Sequence, residues 1–209
     1  MTKSNLDPNR SYTFSNYFDL GIIPSELVAE FGYTLSKQMI KLPEYSGTLD
    51  RLANLKQRIE EVLPYIDSEN ETTRREFIIA PIITDLIYYS HAHVRIEYSL
   101  KLNNQLQGIL DYYLAKDRSV VIIEAKQADL SRGFGQLAVE LIALDQWTDS
   151  PQPELIGAVT TGNIWQFGIL QRSQKHIIQG LNLYRVTEDI EAVMRIILAS
   201  LLSSADPIQ

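Results

Sequence analysis

Valines and isoleucines fill positions 120 to 123 without a break, and the run then ends in Glu124-Ala125-Lys126. A short apolar run without helical spacing predicts a strand buried on both faces. Two more strand-like runs lie upstream: HVRIEYSL, then KLNNQ, then LQGILDYYLA, with KDR leading into the valines. Connections this short favour antiparallel hairpins, so the three runs predict a meander. Downstream, ELIGAVTTG reads as a further apolar strand that NIWQFGIL can join across a Gly162-Asn163 turn.

Helical spacing occupies much of the remainder. One helix is expected from about Ser25, after Pro24, to Met39, and another from about Thr48 to Leu63, where Leu52, Leu55, Ile59 and Val62 stay in step. A third runs from about Thr73 to Tyr89 and should bend at Pro81. The stretch DLSRGFGQLAVELIALDQW predicts a fourth, with Leu137, Leu141 and Leu144 on one side. A last helix, opened by a capping box at Thr187, should run to about Leu202. Residues 1 to 20 are polar and aromatic without clear period, which suggests an arm packed on the body or on a partner.

The order of these elements predicts an α/β (α+β) fold, with a mixed sheet containing a three-strand antiparallel meander and flanked by helices. Residues 71–209 would form that core and residues 1–70 an N-terminal arm and helical extension. With 209 residues, one sizeable domain is expected.

The meander raises a chemical question through its charges. If the second hairpin turns on Asp117-Arg118, Lys116 faces Ser119 and Asp111 faces Glu124. Their alpha carbons would then lie about 4.5 to 5.5 Å apart, and Lys126, two residues on, would share their face. Opposed carboxylates destabilise a sheet unless something neutralises them. One answer is an ion-pair network built on Lys126. The other is a hard divalent cation such as magnesium, which takes one or two carboxylates together with water and phosphate oxygens.

The segment GILDYYLAKDRSVVIIEAK, with Asp111 and Glu124-Ala125-Lys126, resembles the catalytic signature of the PD-(D/E)XK nuclease superfamily. From ETTRREFIIAPIITDLI through QADLSRGFGQLAVEL, residues 71 to about 145 are similar to the nuclease domains of type I restriction motor subunits. The sequence has Leu110 where the family name implies proline. It has Gln136 in place, but Glu140 where several members carry a tyrosine. The resemblance implies a restriction-endonuclease-like core in which Asp111, Glu124 and the Ala125 carbonyl bind Mg2+ or Mn2+. It further implies that Lys126 positions the attacking water, that Gln136 touches substrate or supports the site, and that Glu76 reaches metal through water. Thr73-x-x-Glu76 is equally well read as a capping box, and Gln136 as a helix-start amide.

Charge and composition narrow the partners. Nineteen basic against twenty-six acidic residues give a net charge of -7, which opposes tight binding of nucleic acid through an overall positive field, so phosphate must be met locally. The chain has no cysteine, which excludes disulfides and thiolate metal sites and fits a cytoplasmic setting. MTKSNLDPNR lacks the layout of a secretory leader, and no apolar stretch is long enough to span a bilayer, so no membrane partner is expected.

The remaining candidates are weaker. His91 and His93 lack a third metal ligand, His176 with Arg172 and Lys175 reads as a basic loop, and Glu97 has Arg95 as a same-face partner. The leading function is a metal-dependent nuclease acting on DNA in restriction, defence or mobile-element processing, with a homodimer left open. The alternative is a catalytically inactive binding or regulatory protein on the same fold. A two-carboxylate glycosidase would leave Lys126 without a role.

Overall fold

The computed structural model describes residues 6–7, 9–67, 69–126 and 129–203. The part of the leader reading that rests on residues 1–5 and 8 lies outside them. In chain order the elements are α1 (Phe14–Leu20), α2 (Pro24–Ala29), β1 (Thr34–Gln38), α3 (Leu52–Val62), α4 (Glu71–Arg74), a π-helical turn (Arg75–Ile79) and α5 (Ala80–Ser90). There follow β2 (His93–Lys101), β3 (Gln107–Lys116), β4 (Ser119–Ala125), α6 (Leu130–Trp147), β5 (Glu154–Thr160), β6 (Ile164–Gln171), β7 (His176–Arg185) and α7 (Ile190–Leu202).

Seven strands form one mixed sheet in the order β1-β7-β6-β5-β4-β3-β2. The β2-β3-β4 meander is antiparallel, β4 and β5 are parallel, and β5-β6-β7 continues antiparallel before β1 closes the other edge in parallel. The expected mixed sheet, meander and flanking helices are therefore present. β4 is buried along its whole length because both faces are covered. Val121, Ile123 and Ala125 pack with apolar residues of α3, α5 and α7, and Val120 and Ile122 pack with those of α1, α2 and α6.

Several boundaries differ from the sequence expectation. The helix expected to reach Met39 stops at Ala29, because Gly32 adopts a left-handed conformation (φ 77°) and the Tyr33 amide turns back to the Val28 carbonyl. Residues 34–38 form β1, an edge strand too exposed to show apolar alternation. Its partner β7 includes His176, whose ring bonds the Thr34 and Ser36 hydroxyls at 2.7 and 2.8 Å and so fastens strand to strand. Arg172 is likewise structural, bonded to Asp145 at 2.6 Å and to the Gln152 carbonyl.

The third helix begins at Glu71 with Asn70 as its cap, so Thr73 opens no capping box. It does not simply bend at Pro81: the chain widens into the π-turn first, which accommodates a residue that has no N–H to donate. The last helix begins at Ile190 instead of Thr187. Its Asp189 side chain accepts the Arg185 amide, and the Thr187 hydroxyl bonds Glu60.

Residues before 70 and after 71 share one core, since Leu55 and Ile59 pack in the same cluster as Trp165 and Ile197. Leu55→Ala should therefore lower stability by about 2 to 5 kcal/mol. Urea unfolding followed by helix signal and by tryptophan fluorescence, to which buried Trp165 contributes, should shift by the same amount for both probes. Non-coincident transitions would show that the two segments unfold separately.

Candidate active site

The turn between β3 and β4 falls on Asp117-Arg118, with Asp117 in the left-handed region (φ 52°), and Lys116 pairs with Ser119. The ladder continues to Tyr112 opposite Ile123 and stops there. At the next position, Asp111 opposite Glu124, Asp111 Oδ2 instead accepts the Ala125 amide at 2.8 Å. The β2-β3 ladder skips its corresponding position: Ile96 pairs with Tyr112 and Tyr98 with Leu110, while Glu97, opposite Asp111, has φ 53°.

This gap turns the strand over. Tyr112 and Leu114 belong to the core under α5 and α7, whereas Leu110 belongs to the core under α6. Regular alternation would put all three on one face. Glu97, Asp111 and Glu124 therefore stand in a row across three strands, where the backbone pairing opens.

A cleft of about 380 Å³ lies over this row, lined by Asp111, Glu124, Lys126 and Gln136, with Glu97, Gly108 and Ile109 at its side and Thr13 and Ser15 of the N-terminal arm opposite. Lys126 follows the last residue of β4, its amide bonded to the Thr160 carbonyl, and lines the cleft on the same side as Glu124. Gly133 leaves room for the lysine stem, as a Cβ there would meet Lys126 Cγ at 2.9 Å.

Glu124 is 1% exposed. Its Oε1 accepts from Lys126 Nζ at 2.6 Å and from Gln136 Nε2 at 2.6 Å. Gln136 Nε2 also donates to Glu140 Oε1 at 2.8 Å, so the amide bridges two buried carboxylates. Desolvation, reinforced by Asp111, pushes Glu124 up to about 7. Burial, with Glu124 close by, raises Glu140 as well. Burial alone would lower Lys126, but Glu124, Glu140 and Asp111 outweigh it, so its ammonium stays charged.

Two buried acceptors in this cluster, Glu124 Oε2 and Gln136 Oε1, have no hydrogen-bond partner among the described residues. Burying an acceptor without a donor or cation is costly, and a proton held between Glu124 and Glu140 or a bound cation would meet the need. Asp111 Oδ1 faces Arg75 Nη1 at 3.7 Å. Among the described residues no group of three acidic or histidine side chains is gathered closely enough to hold a metal by itself. A site of two carboxylates and a carbonyl would suit an ion that keeps several waters, as magnesium does.

Glu76 is exposed on the π-turn and does not line the cleft. Its neighbour Arg75 points the other way, to Asp111 and to Glu97 at 3.5 Å. The expected Arg95–Glu97 pair gives way to this contact, and Arg95 lies over the Tyr98 ring. Gln136 is no helix-start amide, since it sits in the second turn of α6 and is buried. His91 caps α5 and His93 opens β2, both exposed.

Sequence reasoning missed Arg75, the arm residues Thr13 and Ser15, and the role of Glu140. Only Glu140 carried a signal: a glutamate amid the apolar stretch LAVELIAL, one turn beyond Gln136.

No protein-family model matches the chain, and no curated protein does. Among solved structures it is similar to one titled "cryoEM structure DrdV-DNA complex", with a TM-score of 0.48 and 12% identity over 75% of this chain. The chain spans 14% of the length of that one.

The buried pair of glutamates predicts a pH effect in metal-free protein. Glu124 and Glu140 hold protons more tightly when folded than at their ordinary 4.5, so their favourable contribution is complete below that value and is lost as pH rises through their folded values, about 7 for Glu124. Urea midpoints should fall between about pH 5 and pH 8. Glu140→Gln should flatten that fall by raising the midpoint at the higher pH. An unchanged pH dependence in the variant would locate the protons elsewhere.

Proposed function

We propose that the chain is a metal-dependent nuclease of the PD-(D/E)XK type, hydrolysing phosphodiester bonds in DNA. The observation that carries this reading is the convergence of Asp111, Glu124 and a charged Lys126 in one cleft, where the buried Glu124 Oε2 has no hydrogen-bond donor among the described residues. A purely structural network ordinarily gives every buried acceptor a donor, and this oxygen has none among those residues.

Asp111 Oδ1, Glu124 Oε2 and the Ala125 carbonyl would hold a magnesium or manganese ion. When bound, that ion supplies positive charge where negative charge develops on the phosphoryl oxygens. The chain's own groups do the positioning. The Ala125 amide fixes the plane of the Asp111 carboxylate through Oδ2. Gln136 holds Glu124 from the helix side, and Glu140 holds Gln136 in turn. Lys126 offers N–H donors at the cleft floor, where they can orient a water for attack on phosphorus and stabilise charge on the phosphate as the P–O bond to the leaving sugar oxygen breaks.

One observation favours the alternative, a nuclease fold that binds without cutting. Lys126 and Arg75 already lie against the two acids, as in a self-neutralised network. Metal uptake separates the two readings.

Plasmid and single-stranded DNA, with RNA as comparison, should be incubated with Mg2+ or Mn2+. Asp111→Ala and Glu124→Gln should abolish cleavage, and Lys126→Ala should reduce its rate by about 10² to 10⁴-fold. Mn2+ at about a hundredfold excess over its dissociation constant should stabilise the native chain by about 2.7 kcal/mol and Asp111→Ala by much less. Cleavage retained by all three variants would reject the assignment. Inactive native protein without metal-linked stabilisation would favour the binding reading.

A further inference from the structure

The wall of the cleft opposite the sheet comes from the N-terminal arm, a segment that lies outside the motif and whose role the motif does not explain. We propose that Phe18 of this arm is a positioning residue for Lys126, its ring holding the ammonium against Glu124. The proposal rests on the nuclease reading for its catalytic consequence, and on geometry alone for the contact.

Lysine carries a flexible four-carbon stem, and an ammonium that must act at one point needs to be held from more than one side. At Lys126, Glu124 Oε1 holds it from the strand at 2.6 Å. The start of α6 packs against the stem at Gly133, where an added Cβ would lie 2.9 Å from Lys126 Cγ and force a shift. Phe18 supplies another contact: Lys126 Nζ lies 5.1 Å from the centroid of its ring, within the range of cation–π attraction. The ring is half-buried and the lysine side chain 15% exposed, so water screens the contact only in part.

The ring can act this way only if the arm stays in place, and the arm is tied down upstream of it. Tyr17 donates its hydroxyl to the Gln105 carbonyl at 2.6 Å, the Tyr12 amide bonds the Asn104 carbonyl at 2.8 Å, and Gln107 reaches the Ser11 hydroxyl at 2.6 Å. Phe14 is fully buried against Gly108, where an added Cβ would meet the Phe14 amide nitrogen at 2.8 Å. Gly108 lies three residues before Asp111 on the same strand. The strand that presents the first acid therefore also seats the helix that carries the ring.

The test uses the full chain with Phe18→Leu and Phe18→Met, which keep apolar volume but remove the ring, and Phe18→Tyr, which restores it. In metal-free native protein the Lys126 side-chain ε-methylene proton resonance, assigned against Lys126→Arg, should be displaced by the ring current. That displacement should vanish in the Leu and Met variants and return in the Tyr variant. In Mg2+-supported DNA cleavage, the Leu and Met variants should lose about tenfold in kcat with KM little changed, and Tyr should recover it. An undisplaced lysine resonance in native protein would overturn the proposal, as would native kcat in a folded Leu or Met variant. If native protein cleaves nothing while the displacement follows the aromatic ring across the variants, the nuclease reading fails and the Phe18–Lys126 placement stands.

Discussion

A carboxylate buried to 1% exposure requires something to meet its charge, and the arrangement around Glu124 follows from that requirement. Lys126 and Gln136 both converge on Glu124 Oε1, and Gln136 is held in turn by Glu140. Ordinary core design would place leucine at both glutamate positions, as the surrounding α6 residues Leu137, Leu141 and Leu144 do. Keeping two acids there raises the proton affinity of each and leaves Glu124 Oε2 without a hydrogen-bond donor among the described residues. Such a cluster in metal-free protein loses stability as pH rises toward neutral.

The backbone bears part of the same cost. Both ladders of β3 lose a rung at Asp111, and Glu97 adopts a conformation that non-glycine residues avoid. The Asp111 carboxylate partly replaces the missing rung by taking the Ala125 amide. Turning β3 over at this point lets Leu110 enter the core on one side and Tyr112 the core on the other, with the acid between them at the hinge of the two. The row at which both ladders of β3 open is thus the one that carries Glu97, Asp111 and Glu124.

How far the sequence disclosed this depended on whether the determining contacts were local. The alignment of Asp111 with Glu124 was legible because a two-residue turn at Asp117-Arg118 sets hairpin register through short-range geometry. β1 and β7 were not: β1 is an exposed edge strand, and in β7 consecutive Ile177 and Ile178 face opposite layers, so neither shows a clean period. Nothing local marks Arg75, because a π-turn is what aims it at Asp111 and Glu97. The arm was opaque for the same reason. Thr13 and Ser15 reach the cleft through contacts that Ser11, Tyr12 and Tyr17 make with residues some ninety positions away.

That separation bears on why residues 1–70 accompany the motif at all. A three-strand meander and one helix could present Asp111, Glu124 and Lys126, but the cleft would then be open on the side where α1 now lies. Covering that side lowers the effective dielectric around the ammonium and the two acids, strengthening each interaction among them. The same cover excludes water from Glu124, raising the cost of its charge and hence the gain when a cation neutralises it. The arm and the buried glutamates therefore act on one cluster: cover raises the cost of an unpaired charge on Glu124, which in the metal-free chain Lys126 and a more tightly held proton offset.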